Sequence, residues 1–564
     1  MGKVFEKIYQ EVKKIPKGET TTYGEIAKRV GTTPKIVGFA LHKNPDPKNI
    51  PCHRVVFKDG SLSKSYAFGG LVGQKRKLIK EKKKKNGIIK LLMLDLKEKN
   101  LPQRPPIWKL LGPAFIWASV AQGSGELIWW PYFAAKYGTA LIGLILPASI
   151  FQFFVNQEVA RYTALTGEGI WQGFKRVSKT YTIFLFLLAF ICFLWFGGYA
   201  SAGGTALFSL TGFPQGVSER IGSLFWAYLT ILIFSLGLVF SKVVYQLIEW
   251  IMKAVIGITL AGLLFTIFQP EIFSQLLSYL KNIFNPFSIK IPHNWEVTDT
   301  PNLLTAVAYA GMGGFLNLMY SYWMRDKGIG MAKYFGRVTS PITGKPEIIP
   351  SSGFKFTDSL ENRKNWQGWV KYLRLDNLAA VILNTFTLLL TTFLALVILH
   401  PKGEYPSGWK IAVVQAKFFE VSLGTIGKSL FLVAAAFFLV DTWLGLADGV
   451  SRMFADFTFS TFKKAQNKSF RFWYYVWLLW LIVITSITML LAQPGTLITI
   501  AGVISIFAFV LFIPLLWLLN YRLVPKHYPD FAKPKTITAF ALGITWLFYF
   551  VIAIWFVLTI FERG

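Results

Sequence analysis

The chain has few cysteines: two in 564 residues, Cys52 and Cys192. That scarcity excludes a disulfide-stapled scaffold. Cys192 sits in the apolar run FLLAFICFLWF and reads as a small buried apolar side chain, so a bridge to Cys52 is not expected. Acidic residues are also short, with 29 Asp and Glu against 60 Lys and Arg and a formal net charge of +31. Such an imbalance points to nucleic acid, to acidic lipid headgroups, or to the basic cytoplasmic flank of a membrane segment. No long apolar run precedes residue 107, which argues against a secretory signal peptide. The first segment is therefore expected in the cytoplasm, where thiols stay reduced and a free, reactive Cys52 is chemically sensible.

What the chain does have is apolar surface. It is 53% hydrophobic and 16% aromatic, too apolar for an ordinary soluble protein. The distribution is uneven. Residues 1 to about 106 are rich in Lys and Arg, and long apolar runs recur from Trp108 onward.

The basic segment reads as a small α+β domain, residues 1–84. GKVFEKIYQEVKKI carries Val4, Ile8, Val12 and Ile15 at helical spacing. A second helix starts at Thr22 and stops at Gly31; a third starts at Thr33 as N-cap with Pro34 in its first turn. Two short helices joined by a glycine turn predict a winged helix-turn-helix-like unit. RVVFKDGSL predicts a strand followed by an Asp-Gly turn, and QKRKLIKEKKKK a basic helix. Residues 85–106 read as a basic linker. Within it Met93 has the look of a natural start, and EKKKKN of an adenine-rich tract, which leaves open a join between two neighbouring genes.

From residue 107 to 562 the pattern predicts an all-α polytopic membrane domain with about eleven spans of the roughly 20 residues each that a bilayer requires. They fall near 108–135, 139–162, 181–203, 222–241, 246–269, 302–324, 376–399, 427–449, 472–492, 495–519 and 537–561. Basic residues gather in alternate loops, so the N-terminus is expected inside and the C-terminus outside. Spans one and six contain glycine clusters, AQGSGELIWWP and AGMGGFLNLMY. Paired breaks at corresponding places in two halves predict an inverted repeat with a midplane binding site. Glu126 beside the first break is costly in a membrane unless it functions, and Asn317 offers an uncharged ligand at the second. Glu158 with Arg161, and Asp448 with Arg452, are spaced to pair on one helix face. Asp441 lies deeper and suits an ion or proton path.

TTYGEIAKRVG, VGFALHKNP, IPCHRVV and GGLVGQKRKLI occur in the order and spacing of the DNA-binding domain of methylated-DNA–protein-cysteine methyltransferases, which residues 1–83 resemble. The resemblance implies a cofactor-free, single-turnover transfer of an alkyl group from O-6-alkylguanine in duplex DNA to Cys52. It implies His53 as proton acceptor, Glu81 as its carboxylate partner and Asn44 before the motif. It further implies Tyr23, Thr33, Lys35 and Arg54 in DNA contact, nucleotide rotation and support of the active-site loop. Lys35 stands where the family has an arginine finger; lysine keeps the charge but lacks the planar guanidinium that stacks on bases. The non-enzymatic alternative is a lesion- or DNA-binding module.

LLGPAFI, AYAGMGGFLN and LADGVSRM make residues 105–562 similar to the Nramp divalent metal transporters, which have a LeuT-like architecture. The resemblance implies secondary transport of a small cation or solute, with proton coupling or a divalent cation as cargo. Gly123, Ser124, Gly125 and Glu126 fall on the family's Asp-Pro-Gly-Asn motif, and Gly314 opens the stretch matching its Met-Pro-His motif. The aspartate and the thioether are absent. Glu126 and Asn317, with Ser124 and backbone carbonyls, would form an oxygen-only site suited to a harder cation or a non-metal solute.

Overall fold

The computed structural model describes residues 2–561 except 17, 58–60, 64, 86–95, 108–111, 242–243 and 286–288. The chain divides into two compact units, Met1–Met93 and Leu94–Gly564.

In the first unit, α1 (Gly2–Lys13), β1 (Thr21–Thr22), α2 (Tyr23–Val30) and α3 (Pro34–His42) are followed by β2 (Val55–Val56) and α4 (Gly70–Lys85). Ile8, Val12 and Ile15 meet Ile26, Val37, Ala40 and Leu41 in one core, while Val4 of the predicted apolar stripe is 38% exposed. Thr22 and Glu25 form a reciprocal capping box at the start of α2, and Gly31 ends that helix at φ +73°. Thr33 caps α3 with Pro34 in its first turn. The strand expected after the Cys-His-Arg motif shrinks to two residues. It pairs in parallel with β1, Thr21 to Val55 and Thr22 to Val56, which brings the motif beside the start of α2. The Asp-Gly turn and Met93 lie outside the described residues.

The second unit begins earlier than composition suggests. Within the expected linker, β3 (Lys97–Glu98) pairs in parallel with β4 (Phe354–Lys355). Leu101 is buried; its N–H donates to Asn362 Oδ1 at 2.9 Å and its carbonyl accepts from Asn365 Nδ2 at 2.9 Å. Residues 97–105 are therefore anchored, because the backbone groups of this proline-rich stretch are captured by amides of one long helix. Next come α5 (Pro113–Ala121), α6 (Trp130–Tyr137), α7 (Ile145–Thr166), α8 (Ile170–Val177), α9 (Lys179–Phe193), α10 (Gly197–Thr211), α11 (Glu219–Phe240) and α12 (Val244–Ile267). The short α13 (Pro270–Phe273) and α14 (Leu276–Ile283) precede α15 (Thr300–Ala308) and α16 (Tyr320–Asp326). The remainder is α17 (Leu360–Leu394), α18 (Lys417–Thr461), α19 (Phe470–Thr488), α20 (Pro494–Trp517) and α21 (Thr536–Phe561).

Among the described residues, eight helices are long and apolar enough to cross a membrane, or nine if the pair bent by 82° after Ile267 counts as one span. Neither the first nor the sixth expected span is among them, because each is interrupted. A π turn, Gly125–Trp129, separates α5 from α6, and a 3-10 turn, Gly314–Met319, leads into α16. The two breaks touch. A Cβ added to Gly125 would lie 1.8 Å from the Tyr309 carbonyl oxygen. Gly313 and Gly314 take φ +87° and +51°, a region that disfavours any side chain.

Gly125→Ala should accordingly prevent the breaks from docking and cost at least the ~1–3 kcal/mol typical of overpacking, since backbone cannot swing aside. Gly257→Ala, with nothing within 4 Å of its added Cβ, should be neutral. Melting of the two detergent-purified variants checks this; equal melting temperatures would contradict it.

Candidate functional sites

The first site is built on the 3-10 turn Cys52–Arg54. Cys52 is buried, with Asn44 Nδ2 donating to its Sγ at 3.1 Å and Tyr66 Oη 3.9 Å away. The same Asn44 amide donates to the Ile50 carbonyl at 2.9 Å, so it fixes the sulfur and the preceding loop together. His53 Nε2 lies 3.0 Å from Glu81 Oε1. Burial pushes the His53 imidazole below its ordinary value; Glu81 opposes this without cancelling it. Burial raises Glu81 in turn, but the Arg54 and His53 contacts overcome it and hold the carboxyl down at about 2. A neutral imidazole against a firm carboxylate can accept a proton and be stabilised once it has done so.

Arg54 turns inward. Its Nε and Nη2 donate to Glu81 at 2.7 and 2.6 Å, and its Nη1 donates to the Ile15 carbonyl at 2.6 Å. It is a buttress for the loop, through a bidentate pair with Glu81 that is 12% exposed on the arginine side. Thr33 acts as an N-cap. Tyr23 and Lys35 line a cleft of about 550 Å³ together with Phe39, Phe57, Tyr66 and Cys52. Tyr23 stacks obliquely on Phe57 at 5.3 Å. The cleft has the size of a pocket for one small ligand.

Two residues escaped the sequence reading. Tyr66 packs beside the thiol, and nothing in linear spacing joins it to Cys52. Gln74 is fully buried; its Nε2 donates to the His53 and Val55 carbonyls at 3.2 and 2.8 Å, and its Oε1 accepts from the Ser63 N–H at 2.9 Å. A lone uncharged polar side chain in a basic helix was its only signal.

The second site surrounds the broken spans. Gly123 packs on the Thr442 side chain and Gly314 on the Ser505 backbone. Ser124 Oγ is 3.0 Å from Tyr199 Oη. Asp441 Oδ2 accepts from Ser119 Oγ at 2.6 Å. Asn317 donates to Gln152 Oε1 at 3.1 Å, which also accepts from the Gly313 N–H at 3.1 Å. Glu126 is buried and points elsewhere, into a small cavity shared with Gln122, Thr259, Thr387 and Thr391. The structure thus does not unite Glu126 and Asn317 as metal ligands. The close contact at Gly125 constrains the backbone before Glu126, and Asn317 turns its N–H toward Gln152. Among the described residues no group of three or more His, Cys, Asp or Glu is placed to hold a metal ion. Arg161 pairs with Glu158 at 3.0 Å and Arg452 with Asp448 at 2.8 Å, as their spacing suggests.

Residues 3–83 match the family model for the 6-O-methylguanine DNA methyltransferase DNA-binding domain. The methylated-DNA–protein-cysteine methyltransferase of Methanocaldococcus vulcanius is 50% identical over 76 residues, 14% of this chain and 44% of that protein. That of Metallosphaera sedula is 54% identical over 54 residues, 10% and 35% of the two chains. The chain spans less than half the length of these curated relatives. A manganese transporter of Eremococcus coleocola, solved with an aromatic bis-isothiourea substituted compound, is similar with a TM-score of 0.58 at 13% identity, covering 84% of this chain and 93% of that one. The likeness is one of fold. The first unit is a DNA-binding domain of the methyltransferase type, joined to a helical membrane unit with a transporter fold.

Loss of Glu81 tests the ion triad. Its carboxyl is held below the ordinary 4.5, at about 2, so its stabilisation is complete above pH 4.5 and fades as pH falls toward 2. Glu81→Ala strands Arg54 and should cost ~3 kcal/mol, the lower end for breaking a buried pair. Hydrogen exchange of residues 50–56, measured between pH 3 and pH 7, should lose protection on acidification in the wild type. The variant should start unprotected and change little.

Proposed function

We propose that the first unit repairs DNA by accepting an alkyl group, normally methyl, from O-6-alkylguanine onto Cys52, once per molecule. The observation that carries this reading is Cys52 lining a cleft of about 550 Å³ while Asn44 holds its sulfur and the His53–Glu81–Arg54 arrangement supports the turn it sits on. His53 takes the thiol proton, because the thiolate is the nucleophile. The sulfur attacks the methyl carbon; the S–C bond forms as the C–O bond breaks. The electron pair passes to the guanine, which is protonated and released. A base inside a duplex must be rotated out to reach the sulfur. Tyr23 and Lys35, at the rim, are placed to assist from a winged helix-turn-helix-like scaffold, with α3 toward the DNA.

For the second unit we propose eleven crossings, counting the broken spans one and six, with the first unit cytoplasmic and the C-terminus outside. It acts as a secondary transporter of a small cation or solute, working by alternating access around the two breaks. The contact of Gly125 with Tyr309 supports this reading, since unwound backbone in mid-membrane is tolerated where it is buried in protein or lines a cavity. The oxygen-bearing side chains at the two breaks, Ser124, Glu126 and Asn317, favour a harder cargo than a transition metal.

Full-length protein in detergent, incubated with duplex DNA carrying radiolabelled O-6-methylguanine, should take up label to a limit of one methyl per chain. Cys52→Ala should take up none, and His53→Ala should slow labelling by ~10²-fold or more, the usual scale for a general base. DNA binding without label transfer would establish the lesion-binding alternative instead.

A further inference from the structure

The cavity beside Glu126 has an excess of hydrogen-bond acceptors. It is closed, about 10 Å³ in volume, and bounded by Gln122, Glu126, Thr259, Thr387 and Thr391 with leucine, phenylalanine and alanine side chains. That is room for one ion or one water molecule. Both Glu126 carboxylate oxygens and Gln122 Oε1 are buried without a hydrogen-bond partner, and each residue is 1% exposed. Gln122 Nε2 donates to Thr387 Oγ1 at 2.9 Å. Thr387 and Thr391 donate to backbone carbonyls one turn back, at 3.0 and 3.1 Å. Their oxygens keep lone pairs. Asn384, a polar neighbour of Glu126, donates to the Ala310 carbonyl at 3.0 Å and keeps an unpartnered Oδ1.

We propose that this cavity is a binding site for one dehydrated monovalent cation of sodium size, formed by span one with the helices α12, α17 and α18. It lies apart from the Glu126–Asn317 pairing that the sequence suggested. Three considerations select the ligand. A cation is held by acceptors alone, which is what Glu126 and Gln122 Oε1 offer, whereas a proton or a water molecule would bring donors instead. Oxygen donors without nitrogen or sulfur favour a hard ion. Among the described residues, Glu126 is the one charged side chain lining the cavity, so a monovalent ion leaves the site neutral, while a divalent ion would leave a buried net charge.

The position gives binding a consequence. Glu126 belongs to the π turn of span one. Asn384 links its surroundings to Ala310, in the break of span six, where Ser149 Oγ also donates to the Ala310 carbonyl at 2.7 Å. An ion at Glu126 is therefore placed to hold the two breaks together. This assignment deepens the transport reading and rests on it only for its purpose; ion binding itself is measured without any solute.

The test uses full-length protein in detergent and radiolabelled sodium alone. One sodium per chain is expected, displaced by unlabelled sodium and not by equal potassium. Thr391→Val should weaken it by about tenfold to a hundredfold, as expected for a lost contact to a charged partner. Glu126→Gln should abolish binding yet remain folded, because it removes a buried charge without changing shape. In the wild type, sodium should raise the melting temperature in a saturable way, and in Glu126→Gln it should not. The proposal is overturned if stability responds to pH and not to sodium, if magnesium or manganese binds in sodium's place, or if Glu126→Gln binds sodium like the wild type. Sodium binding in a protein that moves no solute in vesicles would leave this inference standing while the transport reading fails.

Discussion

The contact between the Gly125 backbone and the Tyr309 carbonyl governs the membrane unit. Two helices that give up their regular ladder in mid-membrane expose amides and carbonyls that lipid cannot satisfy. They persist by facing each other and by recruiting side-chain amides: Gln152 on the Gly313 N–H, and Asn384 with Ser149 on the Ala310 carbonyl. Those partners come from helices that would otherwise need no polar residue. The cluster of buried Gln, Asn and Ser around the breaks follows from the decision to break. The backbone before Glu126 is constrained by it too, because that glycine has no room to turn.

The first unit solves a similar problem on a smaller scale. Its buried thiol and imidazole, Cys52 and His53, sit on a three-residue 3-10 turn, too short to be rigid alone. Rigidity comes from outside the turn: Asn44 from one side, Gln74 on its carbonyls, and Arg54 clamped between Glu81 and the Ile15 carbonyl. One carboxylate thus serves two cations-in-waiting, a permanent one in Arg54 and a transient one in His53. The arrangement keeps the base poised in a fixed orientation.

Much of this was readable in the chain. Cys52 and His53 stand in one short motif with Asn44 eight residues before it, and the helix caps at Thr22 and Thr33 are local signals that a tertiary fold need not override. The glycine clusters announced the two breaks. Other features depend on contacts across sequence distance. Tyr66 and Gln74 meet the active-site turn only after α4 folds back on it. Arg54 was expected to support the loop or contact DNA, and that Glu81 and the Ile15 carbonyl are its partners depends on contacts across sequence distance. Residues 97–105 looked like linker by composition, and their anchoring requires amides more than 250 residues away. Glu126 and Asn317 are both beside breaks, and linear spacing gives no sign that one faces α17 while the other faces Gln152.

The account treats two chemically unrelated units as one protein. Mass spectrometry of the intact chain extracted from native membranes tests that directly, before and after exposure to duplex DNA carrying O-6-methylguanine. The account predicts a single polypeptide that carries both units and gains the mass of one methyl group. A membrane protein beginning near Met93, with the methyl appearing on a separate small polypeptide, would contradict it.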